Sequence, residues 1–281
     1  MSAGGSRPSH AIELEGVSFV YPDGTWALRD VCLAVPEGGR VAIVGQNGSG
    51  KSTLLRHLNG LLRPSAGRVL VRGRETAGVP VERIARQVGL LFQNPDLQIF
   101  EEQVADEVAF GPRNLGLTGA DLASAVMEAL EAVGLRGLEH ANPFNLGFSR
   151  RKLVALAAIL AMRTPIVALD EPTTGQDGRG LGLVEEVVRR LADEGRTVLA
   201  TSHDMRFVAE TFERVVVMRE GAIVADGTPD EVFAPAAWEV LRSTHLDPPP
   251  AAVVGGALGL GSTPTEAQLV AALRERDARY G

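Results

Sequence analysis

The stretch Gly45-Gln46-Asn47-Gly48-Ser49-Gly50-Lys51-Ser52-Thr53 constrains this chain more than any other. It sets glycines at 45 and 50 ahead of Lys51 and Ser52, between the apolar run Arg40–Val44 and a helical pattern through Leu54, Leu55, Leu58 and Leu61. Strand, glycine-rich loop, helix is the order that phosphate binding needs. Glycines let successive backbone N–H groups point into one concavity, and the following helix N-terminus adds partial positive charge. Lys51 then neutralises β and γ oxygens, and the Ser52 hydroxyl ligates Mg²⁺. At average residue usage such a pattern arises by chance with odds of roughly 1% in a chain of this length, and the flanking strand and helix lower that further. Gly45 to Thr53 are therefore read as the phosphate site.

Phosphate chemistry needs carboxylates at the end of a neighbouring core strand, and Ile166-Val167-Ala168-Leu169-Asp170-Glu171 supplies a pair after four apolar residues. Asp170 is placed to orient Mg²⁺, and Glu171 to polarise the attacking water as general base. A second apolar strand, Thr197–Ala200, follows the helical stretch Gly180–Glu194, so a buried parallel sheet with crossover helices is expected. Ahead of the loop, Ala11 to Val35 reads as strands around the turn Tyr21-Pro22-Asp23-Gly24, an antiparallel opening. Residues from about Glu101 to Leu138 are helical in pattern, with Leu122, Val126, Leu130 and Val133 on one face, and form a helical insertion. Arg214–Ala225 closes the sheet as a hairpin turning at Glu220-Gly221. Pro248-Pro249-Pro250 precedes an appendix that ends in a helix, Thr265–Tyr280.

Composition narrows the class. With 28 Lys and Arg against 35 Asp and Glu the net charge is −7, so no global positive field holds nucleic acid, and none is expected as a partner. Cys32 is the single cysteine, which excludes an internal disulfide and suits a reducing compartment. It reads as a small buried hydrophobe. Met1–His10 lacks the apolar core of a signal peptide, and the uncharged stretch Pro248–Thr265 carries too many prolines, glycines and threonines for a membrane helix. Work at a membrane would require docking on other subunits.

The two phosphate-site motifs together resemble those of ATP-binding cassette ATPases, and the resemblance covers about residues 11–240. It implies an α/β fold: a P-loop NTPase core with a mainly parallel sheet, an antiparallel β subdomain and a helical subdomain inserted at about 95–160. Residues 1–10 are expected to be a disordered N-terminus, and 241–281 a C-terminal extension serving dimerisation. By position, Tyr21 resembles the aromatic that stacks on adenine, and Gln93 the glutamine that links Mg²⁺ and water to the transmembrane partner. Asp177 falls in the loop that crosses the dimer interface, and His203 resembles the switch histidine that contacts γ-phosphate. Phe92-Gln93-Asn94-Pro95-Asp96-Leu97-Gln98-Ile99-Phe100 and Asp106-Glu107-Val108-Ala109-Phe110-Gly111-Pro112 are similar to the ATPase subunits of energy-coupling-factor importers of vitamins and transition-metal ions. That likeness implies ATP and Mg²⁺, a second cassette subunit, a membrane scaffold with a separate substrate-binding subunit, and a peripheral place on the cytoplasmic face of the membrane. A groove near Gln93 would receive the scaffold's helices.

One motif departs from the family. Where Leu-Ser-Gly-Gly-Gln is expected to reach across the dimer to the partner's γ-phosphate, this chain has Leu146-Gly147-Phe148-Ser149-Arg150. Gly147 stands at the serine, Phe148 and Ser149 at the two glycines and Arg150 at the glutamine. Either Ser149 rescues the contact after a local rearrangement, or Arg150 supplies charge in place of N–H groups, or this half-site is impaired; the third is favoured. Arg150-Arg151-Lys152 reads as a positive run on the dimer face. A nucleotide-gated clamp with slow hydrolysis is the alternative function. A cassette ATPase of DNA repair or translation would need a coiled-coil insertion, a tandem cassette or a basic surface that this chain lacks.

Overall fold

The computed structural model describes residues 10–280, with side chains to 278; the expected disordered N-terminus, apart from His10, lies outside the described residues. His10 itself begins β1 (His10–Val20), which turns at Tyr21–Gly24 into β2 (Trp26–Pro36). Apolar side chains alternate inward along both strands, and Cys32 falls on the outward face. The single thiol is therefore exposed rather than buried: Val31 and Leu33 claim the inward positions, as period-two alternation requires. Its sulfur accepts a hydrogen bond from the Gly16 N–H at 3.2 Å.

Next come β3 (Arg40–Val44), α1 (Lys51–Leu58), β4 (Ala66–Val71), β5 (Arg74–Glu75), α2 (Val81–Ile84) and β6 (Val88–Leu91). Helix α1 stops before Leu61, which is 44% exposed, because Asn59 closes the helix and Gly60 takes a left-handed φ of 78°. The helical pattern after Glu101 is split into α3 (Val104–Asn114) and α4 (Gly119–Ala132) at Gly116. Helix α5 (Phe148–Ala161) packs against both. β7 (Ile166–Leu169), α6 (Gly178–Asp193), β8 (Thr197–Thr201), α7 (Met205–Thr211), β9 (Arg214–Arg219) and β10 (Ala222–Gly227) complete the sheet region. The tail holds α8 (Pro229–Val232), α9 (Trp238–Arg242), α10 (Pro250–Ala257) and α11 (Glu266–Tyr280). The sequence reading missed α10, whose Gly255 lies so near Thr263 that a Cβ would sit 1.9 Å from its hydroxyl oxygen; tertiary contact, with no apolar period, makes that helix.

Two sheets result. β2, β1, β4 and β5 form an antiparallel one, and the other runs β10-β9-β3-β8-β7-β6, parallel except for the β9–β10 hairpin. One apolar core lies between the two sheets around α1, with Leu54, Leu55 and Leu58 fully buried. A second lies beneath α3 to α7, where Leu130, Leu156 and Phe207 are buried. The antiparallel sheet and the helical layer thus cover opposite faces of the parallel sheet, leaving its C-terminal edge open for a site.

Leu130 is completely buried where α4 meets α3 and α5. Leu130→Ala is expected to lower stability by about 3 kcal/mol, read from the midpoint of urea denaturation.

Candidate functional site

The parallel topology brings the ends of β3, β8, β7 and β6 to one edge, and the chemistry collects there. Gly50 adopts a left-handed φ of 102°, and a Cβ on it would lie 2.4 Å from the Ala27 carbonyl oxygen, so only glycine lets the loop pass β2. It also opens α1 without a side-chain cap, leaving the first-turn N–H groups facing the loop cavity. Lys51 is buried and donates from Nζ to the Gly45 carbonyl at 2.7 Å and the Gln46 carbonyl at 3.1 Å. Burial lowers its pKa, while Glu171 and Asp170 pull the other way.

A cleft of about 480 Å³ is lined by Tyr21, Thr25, Trp26, Ala27, Asn47–Thr53, Gln93, Glu171 and His203. Residues nominated from sequence at five separate places thus meet in one cavity. A larger groove of about 930 Å³, along Arg72–Thr76 and Arg83–Gln87, mixes arginines with carboxylates and brings together no comparable set. The Tyr21 ring stands edge-on to Phe19 and its hydroxyl lies 2.9 Å from Thr53 Oγ1. Trp26, half exposed beside it, gives the cleft a second aromatic that the sequence reading did not nominate.

At the end of β7, Asp170 Oδ1 accepts from Ser52 Oγ at 2.9 Å and from Thr201 Oγ1 at 2.8 Å. Ser52 and Asp170 offer adjacent hard oxygens, a donor set that fits Mg²⁺, which binds through few protein ligands when phosphates supply the rest. Gln93 is exposed at the mouth of the cleft, its loop pinned by Gln98 Oε1, which accepts from the Phe92 N–H. Glu171 is 3% exposed and, unusually for a non-glycine, left-handed at φ 50°, a conformation that costs about 1–2 kcal/mol. The Thr201 hydroxyl accepts from its N–H at 2.8 Å. Burial raises the Glu171 pKa above the usual carboxylate range, against the nearby Lys51 charge. His203 Nε2 lies 2.9 Å from Glu171 Oε1. Burial and then the Lys51 charge lower the histidine pKa below its ordinary value.

Around the expected signature, Phe148 and Ser149 contact the segment 175–176 of their own chain, while Gly147, which opens α5, and Arg150 are exposed. Ser149 Oγ donates to Gln176 Oε1 at 2.7 Å, and Gln176 Nε2 donates back to the Ser149 carbonyl at 3.2 Å. The Phe148 ring covers Gly175, where a Cβ would fall 2.6 Å from Cε1. Asp177 accepts from the Gly180 N–H at 2.8 Å and so caps α6. The basic run does not lie on one face: Arg151 pairs with Asp96 at 3.1 Å, and Lys152 turns inward, 1% exposed, onto the carbonyls of Glu171 and Thr174. Burial lowers the Lys152 pKa to about 8. The apolar run that follows Lys152, from Leu153 to Ile159, was the available sign that this position is covered.

A glycine loop at a helix N-terminus beside an acidic strand end, in this strand order, defines a phosphate-loop nucleoside-triphosphatase. Residues 28–174 match the ABC transporter family. The chain is 45% identical over 237 residues to the energy-coupling factor transporter ATP-binding protein EcfA of Methanothermobacter thermautotrophicus, covering 84% of this chain and 76% of that one. It is 41% identical over 239 residues to EcfA of Methanocaldococcus jannaschii, covering 84% and 85%. Among solved structures, cbiO1 of Clostridium perfringens, part of the ABC transporter complex cbiONQ, superposes with a TM-score of 0.73 at 34% identity, covering 84% of this chain and 94% of that one. A bacterial ABC transporter cassette solved as a dimer gives a TM-score of 0.72 at 25% identity, with 77% and 98% covered. This chain belongs to the ABC transporter family, as an ATP-binding subunit that hydrolyses ATP.

The raised Glu171 pKa has a stability consequence. An acid whose folded pKa exceeds its unfolded one favours the fold at low pH and loses that contribution as pH rises past the unfolded value of about 4.5. At pH 8 the nucleotide-free Glu171→Gln chain is expected to melt above wild type, and the gap should close as pH falls toward 4.5 in a thermal-denaturation series.

Proposed function

We propose that this chain energises a membrane importer of the energy-coupling-factor type, for vitamins or transition-metal ions. What carries the proposal is the convergence of Lys51, Ser52, Gln93, Glu171 and His203 on one cleft, with Asp170 hydrogen-bonded behind Ser52. The 41–45% identity to proteins named EcfA supports the choice of importer class. The phosphate loop and Lys51 hold the β and γ phosphates, with adenine on Tyr21 and Trp26 beside it. Ser52 and Asp170, with Gln93 at the rim, would hold Mg²⁺, which when bound neutralises phosphate charge. Glu171 accepts a proton from the attacking water, and His203 fixes that carboxylate and reaches toward the γ-phosphate.

Among the described residues no helix is long and apolar enough to cross a membrane, so a scaffold must be reached by docking. Leu97, Phe100 and Phe110 are 68%, 55% and 40% exposed beside the Gln93 loop, with the two phenylalanine rings edge to face at 4.7 Å. Buried Glu107 holds this rim by accepting from the N–H groups of Phe100 and Glu101 at 3.0 and 2.9 Å. The rim is suited to receive apolar helices of an integral membrane scaffold on the cytoplasmic face, a separate membrane subunit binding the substrate. A second cassette completes each site, with Gly147, Ser149, Arg150 and Asp177 at the interface and residues 241–281 extending the dimer. Because Ser149 and Phe148 are engaged within their own chain, the signature half-site is impaired, and a heterodimer whose partner carries an intact signature hydrolyses mainly over this chain's phosphate loop. The same engagement favours a second reading, a nucleotide-gated clamp, which slow single-turnover hydrolysis even in the full complex would support.

In the assembled complex, Glu171→Gln should lower ATP turnover by about 10²-fold or more, as loss of a general base does. Ser149→Ala should cost less than about threefold under the same conditions; complete loss on Ser149→Ala overturns the impaired half-site. Phe100→Asp should leave nucleotide affinity intact and abolish co-purification with the membrane subunits.

A further inference from the structure

We propose that Lys152 is a positioning residue for Glu171, holding the backbone on which the hydrolytic carboxylate is mounted. The inference rests on the role given to Glu171 above and adds a residue from α5 to that site.

Lys152 enters from the start of the second turn of α5, beneath the segment joining β7 to α6. Its ammonium donates to the Glu171 carbonyl and, at 3.1 Å, to the Thr174 carbonyl. These are the two ends of one turn, closed by the Thr174 N–H on the Glu171 carbonyl at 3.2 Å. Glu171 is thus gripped on both sides, its N–H by Thr201 of β8 and its carbonyl by Lys152 of α5. A left-handed glutamate does not hold that conformation by local preference, so its neighbours must impose it. With the backbone fixed, Thr174 Oγ1 reaches Glu171 Oε2 at 3.3 Å and His203 reaches Oε1.

Stability alone does not call for a lysine here. Position 152 is 1% exposed and continues into the buried apolar face of α5, where a leucine or methionine packs without desolvating an ammonium. What the ammonium adds is two directed donors toward one turn. The neighbouring contacts, Ser149 with Gln176 and Phe148 on Gly175, hold the start of α5 against the same segment, so Lys152 acts from a fixed base.

The test uses the full chain, with its cassette and membrane partners where turnover is read, and compares Lys152→Met and Lys152→Gln with wild type and Glu171→Gln. Lys152→Met is expected to lower kcat about 30-fold, while KM and the affinity for a fluorescent ATP analogue change less than about twofold, because the carboxylate is misplaced and the phosphate loop untouched. Lys152→Gln, whose amide can still donate to carbonyls, should recover most of that loss. A second readout is independent of turnover: in the nucleotide-free chain, amide hydrogen exchange across 172–177 should quicken about tenfold in Lys152→Met, with β7 and the later turns of α5 unchanged. A Lys152→Met protein with wild-type kcat and wild-type exchange overturns the proposal, as does a loss that falls equally on ATP affinity. Should Lys152→Met not fold, Lys152→Leu carries the same two readouts, and should neither fold, the side chain is a requirement of the fold and the proposal falls. Wild-type turnover insensitive to Glu171→Gln defeats the role given to Glu171, whereas the exchange arm reports on the Lys152 tether by itself.

Discussion

The hydrogen bond from Ser52 to Asp170, 2.9 Å long between residues 118 apart in sequence, is the contact around which the site is organised. It can form because β3 and β7 are parallel strands of one sheet, separated by β8, whose Thr201 hydroxyl reaches the same Asp170 oxygen. Parallel order delivers every strand end to one edge, so a loop after β3, an acidic pair after β7 and a histidine after β8 become neighbours without any of them bending toward the others. The antiparallel sheet contributes Tyr21 and Trp26 to the same cleft from one side. Helix α5 contributes Lys152 from below.

Charge is concentrated where water is scarce. Lys51, Lys152, Asp170 and Glu171 are all at most 6% exposed, and burial lowers the pKa of both lysines, with the two carboxylates only partly opposing it. Glu171 still titrates high, because desolvation outweighs the neighbouring cations. A carboxylate held in this way has the raised proton affinity that the proposed general base would use, at some cost in stability.

The altered signature illustrates what a motif comparison can and cannot read. From Leu146-Gly147-Phe148-Ser149-Arg150 the missing glycines are plain, and so is the displaced serine. That Phe148 would find its seat on Gly175, and Ser149 its partner in Gln176, depends on how α5 lies against a loop 27 residues later. The ring at 148 has room because Gly175 beneath it has no side chain to obstruct it.

Local chemistry was legible in the sequence. The glycine spacing before Lys51, the acidic pair after four apolar residues and the alternation of β1 and β2 follow from backbone freedom, charge and period, all of which are properties of neighbours along the chain. The outward place of Cys32 was there in the alternation of β2, but the seat of Lys152 and helix α10 were not legible. Whether such a position is covered is decided by what packs on it, and the partners come from elsewhere in the chain: the Glu171 turn meets Lys152, and Thr263 meets Gly255. The sequence by itself determined the phosphate-loop and acidic-pair motifs that mark this chain as an ABC ATPase. Only the tertiary structure decided that Lys152, in the second turn of α5, faces inward onto the Glu171 turn, because a buried ammonium is tolerated there only once two carbonyls from another element stand ready to receive it.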